Sequence, residues 1–409
     1  MRVVMKYERV QWPVGHGGFH SGRIKGGSID FRYFFDCGAY SKEGKALISE
    51  QLASTEFDFG VISHFDHDHY SELAHVKKVK VLFLPYMTPA DMLLQALADQ
   101  VANALTVLQA FQGFNVLRQL QANGTRIVMV SGGVEVGGDI PQGALEELPG
   151  GLSWRIPGTN SGANGSQEMP HETPVEVLQG STKLLYFKFF NHRKEEASRE
   201  FANQLAAAVS AQDLKQVDKT PYMSVDDFLA DVMAGNPQLV RSNGKAMQKI
   251  YQKTLASTSL KASPITASNL SSLTMFSRSS GDWHEGWQST VLRAHGSRSA
   301  MSDDDDGWML TGDLELTPKT WPAFNDHYFC ELPECVAFNV PHHASAISLC
   351  EAAVAFLPGQ LFVMPVARDT KHPATQLVER LKRHRACDQH SVTEAWESTL
   401  AIESLKIRR

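Results

Sequence analysis

Apolar residues fall into three patterns along the chain. Over residues 1–84 they come in short runs broken by turn residues. The run in SIDFRYFFDCGAY is rich in aromatics and ends in Asp36 and Gly38, as expected of a strand that carries a carboxylate to a turn. FDFGVISHFDHDHYSEL repeats the design, with a short apolar strand over 59–62 running into a polar cluster. KVLFL (80–84), closed by Pro85, predicts a further strand. Alternation of short strands and turns points to stacked sheets.

From Thr88 the spacing becomes helical. TPADMLLQALADQVANALTVLQAFQ has a cap, a first-turn proline and an early acid, followed by apolar residues three and four apart. Residues 131–171 lose periodicity and are rich in Gly, Ser, Asn and Pro, which predicts a long surface loop. A strand over 182–190 and helices over 192–210, 224–235 and 244–258 follow. The third pattern returns to strands. SNLSSLTMF and GWMLTGDLEL pair as a hairpin across a loop at 277–307, and the acidic run 303–306 is solvated. ECVAFNV and QLFVMP add strands, and a helix near 374–386 closes the pattern.

Composition narrows the function classes. The 409 residues are 43% apolar and 21% charged, enough for a sizeable core and against disorder throughout. At roughly 150 residues per domain, two to three domains or one large α/β domain with insertions are expected. A net charge of −6 gives no bulk attraction to nucleic acid or membrane, so any polyanion site must be local. No apolar run approaches the roughly 18 residues of a membrane span, and MRVVMKYERVQW lacks the clean apolar stretch of a signal peptide. Five cysteines without a CxxC argue against a disulfide or zinc-finger framework and for a reducing cytoplasm.

The chemistry concentrates in Ser63-His64-Phe65-Asp66-His67-Asp68-His69. Five metal-ligating side chains in six positions, directly after an apolar strand, are hard to place together without a cation to neutralise the carboxylates. In an extended segment, residues 64, 66 and 68 share one side, His67 faces away, and His69 turns inward as the strand ends.

This cluster resembles the second motif of the metallo-β-lactamase fold, HxHxDH, with Asp66 in place of the second histidine. The form SHxDxDH is similar to that of the soluble domain of ComEC-family DNA-uptake proteins. Further motifs follow in the same order: FFDCGA with Asp36, Asn269-Leu270-Ser271-Ser272-Leu273 for NxxSL, Leu310-Thr311-Gly312-Asp313 for LTGD, Val340-Pro341-His342-His343-Ala344-Ser345 for VPHHGS, and Lys371-His372-Pro373 for GHP. The resemblance implies an α/β fold, an αββα sandwich, with its core in 1–85 and 265–409. Residues 86–264 would then hold a core helix and a largely helical insertion. Ala344 stands where the pattern has glycine, which implies a loop that needs no positive φ there or bends differently. Lys371 replaces the glycine of GHP.

A dinuclear centre needs about eight ligand atoms and open positions for water. His64, Asp66 and Asp313 are candidates for one metal. Asp68, His69, Asp313 and one of His342 or His343 are candidates for the other, with Asp313 bridging. The extra carboxylate favours harder cations, so two divalent ions, Mn or Zn with Mg an option, are expected. Asp68 would orient the attacking water, and His372 would contact substrate or a leaving oxygen. Asp36, Asn269 and Ser272 would stand behind the ligands, Asp36 orienting a histidine.

One local basic feature remains. No acid occurs between Asp231 and Asp282, and Arg241, Lys245, Lys249 and Lys253 recur every fourth position, a ridge able to track phosphates. These features predict a metal-dependent hydrolase, a phosphodiesterase or nuclease acting on nucleic acid or nucleotide. The second reading is a partner-dependent regulatory component of a bacterial multi-protein system, such as an antiviral defence module. In that reading the insertion is the docking surface.

Overall fold

The computed structural model describes residues 3–102, 112–132, 145–156, 160–161, 167–193, 195–234, 236–258, 271–280, 288–293, 298–300, 306–357, 361–366, 372–383, 389–393, 395 and 398–408. Six strands come first: β1 (Val3–Gln11), β2 (Gly17–Gly26), β3 (Ile29–Ala39), β4 (Glu56–Val61), β5 (Lys78–Pro85) and β6 (Arg126–Ser131). Then come β7 (Leu145–Leu148), β8 (Leu152–Arg155), β9 (Asn160–Ser161), β10 (Gln167–Pro170), β11 (Val175–Gln179) and β12 (Thr182–Arg193). The later strands are β13 (Ser271–Ser279), β14 (Gln288–Arg293), β15 (Arg298–Ala300), β16 (Gly307–Leu310), β17 (Cys335–Asn339), β18 (Leu361–Pro365), β19 (Gln389–Val392) and β20 (Leu400–Arg408).

They form two sheets. One runs β15-β14-β20-β1-β2-β3-β4-β5-β6-β10-β9, the other β19-β18-β17-β16-β13-β12-β11-β8-β7. Between them lies an apolar layer built by alternation. Tyr7, Phe31, Tyr33, Phe59 and Phe83 of the first sheet meet Phe187, Phe189, Trp308 and Leu310 of the second. The opposite face of the first sheet, with Phe34, Phe57, Leu82 and Leu84, packs on helices Pro89–Ala102, Glu195–Ser210, Val225–Met233 and Pro237–Ser257. The outer face of the second sheet, with Phe276, Phe338 and Phe362, packs on helices Trp321–His327, Glu351–Phe356 and Thr375–Arg383. The layer order is therefore helix, sheet, sheet, helix, an α/β fold.

The hairpin expected across 277–307 forms, with Met275 opposite Leu310 in β13 and β16. Two segments expected as loops carry strands instead. β7 to β10 lie within 131–171, and β14 and β15 lie within 277–307. These strands have two to six residues, too few for alternation to stand out from Gly- and Ser-rich surroundings. The stretch 86–264 is thus not uniformly helical, since β6 joins the first sheet and β11 and β12 the second. Among the described residues no helix is long and apolar enough to cross a membrane.

Candidate metal centre

The chemistry-bearing residues gather where parallel strands end. β3 and β4 run parallel, as do β16, β17 and β18, and their C-terminal ends face one another across the sandwich. Beyond β4 the chain passes through Ser63–Asp66 into the helical turn His67–Tyr70. Beyond β16 it turns at Gly312, whose φ is +52° and where a Cβ would sit 2.7 Å from Ser63 Oγ. Only glycine brings Asp313 this close to His64. Asp36, φ +57°, points back across β4. Its Oδ1 accepts from Ser63 N at 2.7 Å, and its Oδ2 accepts from Ser63 Oγ and His69 Nδ1, both at 2.8 Å.

Hydrogen bonds orient three histidine rings. His69 uses Nδ1–H on Asp36, so Nε2 carries a lone pair, 3.4 Å from Asp313 Oδ1 and 3.8 Å from Asp68 Oδ2. Ser63 Oγ gives its proton to Asp36 and accepts from His64 Nδ1 at 2.9 Å. His64 Nε2 is then bare, 3.7 Å from Asp66 Oδ2 and 3.7 Å from Asp313 Oδ2. His343 Nδ1 donates to Pro365 O at 3.1 Å, and its Nε2 faces the centre, donating to Asp68 Oδ2 at 3.1 Å. His64 Nε2, His69 Nε2 and Asp313 Oδ1 are buried without a hydrogen-bond partner. Lone pairs of nitrogen and carboxylate oxygen therefore converge with no donor between them, an arrangement that calls for protons or cations. The donor set fits divalent metal. His64, His69 and Asp313 form one group, and His16, Asp68 and His343 another, each with ligand atoms within 4.8 Å of one another.

The electrostatics report the same demand. Burial opposes charge on His69, but Asp36, Asp68 and Asp313 pull its pKa well above the ordinary value. Burial also favours neutral Asp68 and Asp313. His69 and His343 nonetheless hold the first, and His69, His342 and His64 the second, well below the usual carboxylate range. The negative potential that attracts these protons is available to a cation. Behind the cluster, a cavity of about 30 Å³ touches Gln11, His20, Asp36, His69, Asp313 and His343, room for a water or two.

Each sequence candidate has a definite place. His67 faces away, its Nε2 3.2 Å from Lys45 Nζ. Asp66 is at the edge, its Oδ1 accepting from Gln95 Nε2 at 2.8 Å. Of the adjacent pair, His343 enters the metal-binding groups. His342 sits 3.4 Å from Glu315 Oε1, and against the penalty of burial Asp313 and Glu315 raise its pKa to about 9. His372 is half-buried at the rim, its ring 5.9 Å from that of His16. Ser272 is buried on β13, opposite His192. Asn269 lies outside the described residues.

The expectation for Ala344 needs correction in one respect. His342, His343 and Ala344 all have positive φ, +49°, +49° and +58°. An L-residue held there costs roughly 1–2 kcal/mol. The surroundings impose it: His342 N bonds Gly312 O, Ala374 N bonds Ala344 O, and Pro365 holds the His343 ring.

Sequence reading missed His16. Its ring lies 3.9 Å from that of His343, tilted by 39°, and burial, then His343, lower its pKa to about 4, which keeps it neutral. The available signal was its setting in Gly15-His16-Gly17, a turn that can bring a ring close to other backbone. Ser63 was seen only as a motif letter, and Gln95 and Glu315 gave no signal. The ridge residues Arg241, Lys245, Lys249 and Lys253 are exposed on helix Pro237–Ser257, which buries Met247, Ile250 and Tyr251.

No protein-family model matches the chain, and no curated protein matches it. Among solved structures it is similar to the metallo-beta-lactamase fold protein YhfI from Bacillus subtilis, at 10% identity and a TM-score of 0.17. That similarity covers 43% of this chain and 61% of YhfI. At this TM-score it adds nothing to the layer order and site geometry described above.

Proposed function

We propose that this chain is a metal-dependent hydrolase of the metallo-β-lactamase type, acting on phosphodiesters of nucleic acid or nucleotides. The observation that carries the reading is the convergence of unpartnered His64 Nε2, His69 Nε2 and Asp313 Oδ1 at the ends of parallel strands. His64, Asp66, His69 and Asp313 would hold one divalent cation. His16, Asp68 and His343 would hold the other, with Asp313 reaching both. Bound there, Mn²⁺ or Zn²⁺, or Mg²⁺, would polarise a phosphoryl oxygen and acidify water.

The chain's own groups do the rest. Asp36 and Ser63 keep the His69 and His64 rings turned with Nε2 inward, and Pro365 O does so for His343. Asp68 orients water in the cleft as a hydrogen-bond acceptor. His372, at the rim, contacts substrate. The phosphodiester assignment is supported by the carboxylate-rich donor set, by the exposed ridge from Arg241 to Lys253, and by the motif resemblance to ComEC-family domains.

The test is metal analysis of the purified chain, followed by turnover of bis(p-nitrophenyl) phosphate, single- and double-stranded DNA, RNA and nucleotides with Mn²⁺, Zn²⁺ or Mg²⁺. Cation-dependent turnover of a phosphodiester supports the reading. Two bound metals with turnover of carboxylic esters alone overturns the substrate class, and no bound metal overturns the reading.

A further inference from the structure

The helical layer reaches into the metal-binding cluster at Gln95. This residue is 1% exposed on helix Pro89–Ala102, whose apolar face already buries Leu93, Leu94 and Leu97. Its Nε2 donates to Asp66 Oδ1 at 2.8 Å, while its Oε1 is buried without a hydrogen-bond partner. An unpartnered buried carbonyl costs about 1–3 kcal/mol, and a leucine or methionine there would bury without that cost. The amide therefore has a use that packing does not supply.

The geometry shows what it is. Asp66 Oδ1 is occupied by the amide, and Asp66 Oδ2 is left 3.7 Å from His64 Nε2. Since a carboxylate only accepts, the amide must present its NH₂. A neutral donor fixes the carboxylate without neutralising it, so the negative charge stays available to a cation. A lysine in the same place would cancel it.

We propose that Gln95 is the positioning residue of the His64–Asp66 metal position, tying one oxygen of Asp66 so that the other alone faces the cation. This rests on the dinuclear reading above. Asp66 then gives one oxygen rather than two, and the position keeps the low coordination number that leaves room for water or substrate. Partners that orient a metal ligand from behind are typically worth about 10–100-fold in metal affinity.

The test uses the full chain, stripped of metal and titrated with Zn²⁺ and with Mn²⁺ against a competing chelator. Wild type is expected to take up two equivalents. Gln95→Met, which keeps volume and helix propensity, is expected to hold one equivalent at wild-type affinity and to bind the other roughly 10–100-fold more weakly. With Mn²⁺, electron paramagnetic resonance should change from the spectrum of a coupled pair to the six-line signal of an isolated ion, which a merely structural role would not produce. Should Gln95→Met fail to fold by circular dichroism, Gln95→Leu gives the same comparison. Two equivalents at wild-type affinity in a folded variant overturn the proposal and leave the dinuclear reading standing. Wild type binding no cation overturns both.

Discussion

His69 Nδ1 lies 2.8 Å from Asp36 Oδ2, and this one contact decides which nitrogen of His69 meets the centre. Asp36 accepts two further bonds from Ser63, and through Ser63 it also sets the His64 ring. Asp36→Asn keeps the shape but offers an NH₂ where acceptors are needed. We expect metal affinity to fall about 10–100-fold, with both His64 and His69 affected, in a protein that remains folded. Wild-type affinity in a zinc titration with a competing chelator would contradict this.

The pKa shifts predict how the metal-free protein responds to pH. His342, raised to about 9, and His69, raised as well, contribute stability that is present below the free-histidine value of about 6.5. That stability is lost as pH rises through their folded values. His16, lowered to about 4 by burial and then His343, and His327, lowered to about 3 by burial and then His171, act in the opposite sense. Their contribution is present above about 6.5 and lost as pH falls through their folded values. Metal-stripped protein should therefore melt highest near pH 6.5 and lower at both pH 5 and pH 9. Adding Zn²⁺ should flatten the alkaline side, because a cation replaces the proton at His69. A melting temperature that rises from pH 6.5 to 9 without metal would refute the assignment.

Ala344 is fully buried at a φ of +58°. Glycine would relieve about 1–2 kcal/mol of strain but lose about 0.8 kcal/mol of buried methyl and regain unfolded-state freedom worth about 0.4–1 kcal/mol. Ala344→Gly should leave stability within about 1 kcal/mol of wild type, a few degrees at most. Ala344→Val adds branching where the backbone tolerates it least, in a site without space. It should displace His343 and weaken the His16–Asp68–His343 position. Calorimetry with metal titration checks both, and a Val variant that binds two metals normally would show that the loop bends freely.

How far the sequence went follows from signal strength. The cluster Ser63–His69 and the Asp313 turn stood out because polar ligating residues directly follow apolar strands. The pairing of β13 with β16 followed from two short apolar segments, around Leu273–Phe276 and Trp308–Leu310, that flank one loop. His342 and His343 could not be separated, since adjacent residues on a loop have no fixed periodicity. Both have positive φ, and their contacts distinguish them: His343 sits between Pro365 O and Asp68, while His342 faces Glu315. β8, β10 and β14 join the sheets through the distant partners β11, β6 and β20, and β7, β9 and β15 add to them as short hairpin arms, so local pattern marks none of the six. Gln95 was hidden for another reason: at its place in a helical repeat a glutamine reads as a solvent-facing residue, and only tertiary packing shows it buried against Asp66.

The ridge on helix Pro237–Ser257 offers a test of substrate class that is independent of the metals. Lys245 and Lys249 are exposed, one turn apart, on the face opposite Met247 and Ile250. Reversing both to glutamate leaves the buried face intact, so folding and metal content should not change. If phosphates lie along the ridge, nucleic-acid affinity should fall, and the slope of log affinity against log salt should flatten by about 0.7–0.9 per lost contact. Two lost contacts would move the slope by about 1.4–1.8, well within reach of titrations at several salt concentrations. Turnover of an uncharged ester should not change, because that substrate gains nothing from the ridge. An unchanged slope with unchanged affinity would make the four basic residues an ordinary solvated helix face, and a nucleic-acid substrate would then have to be held by the rim around His372 alone.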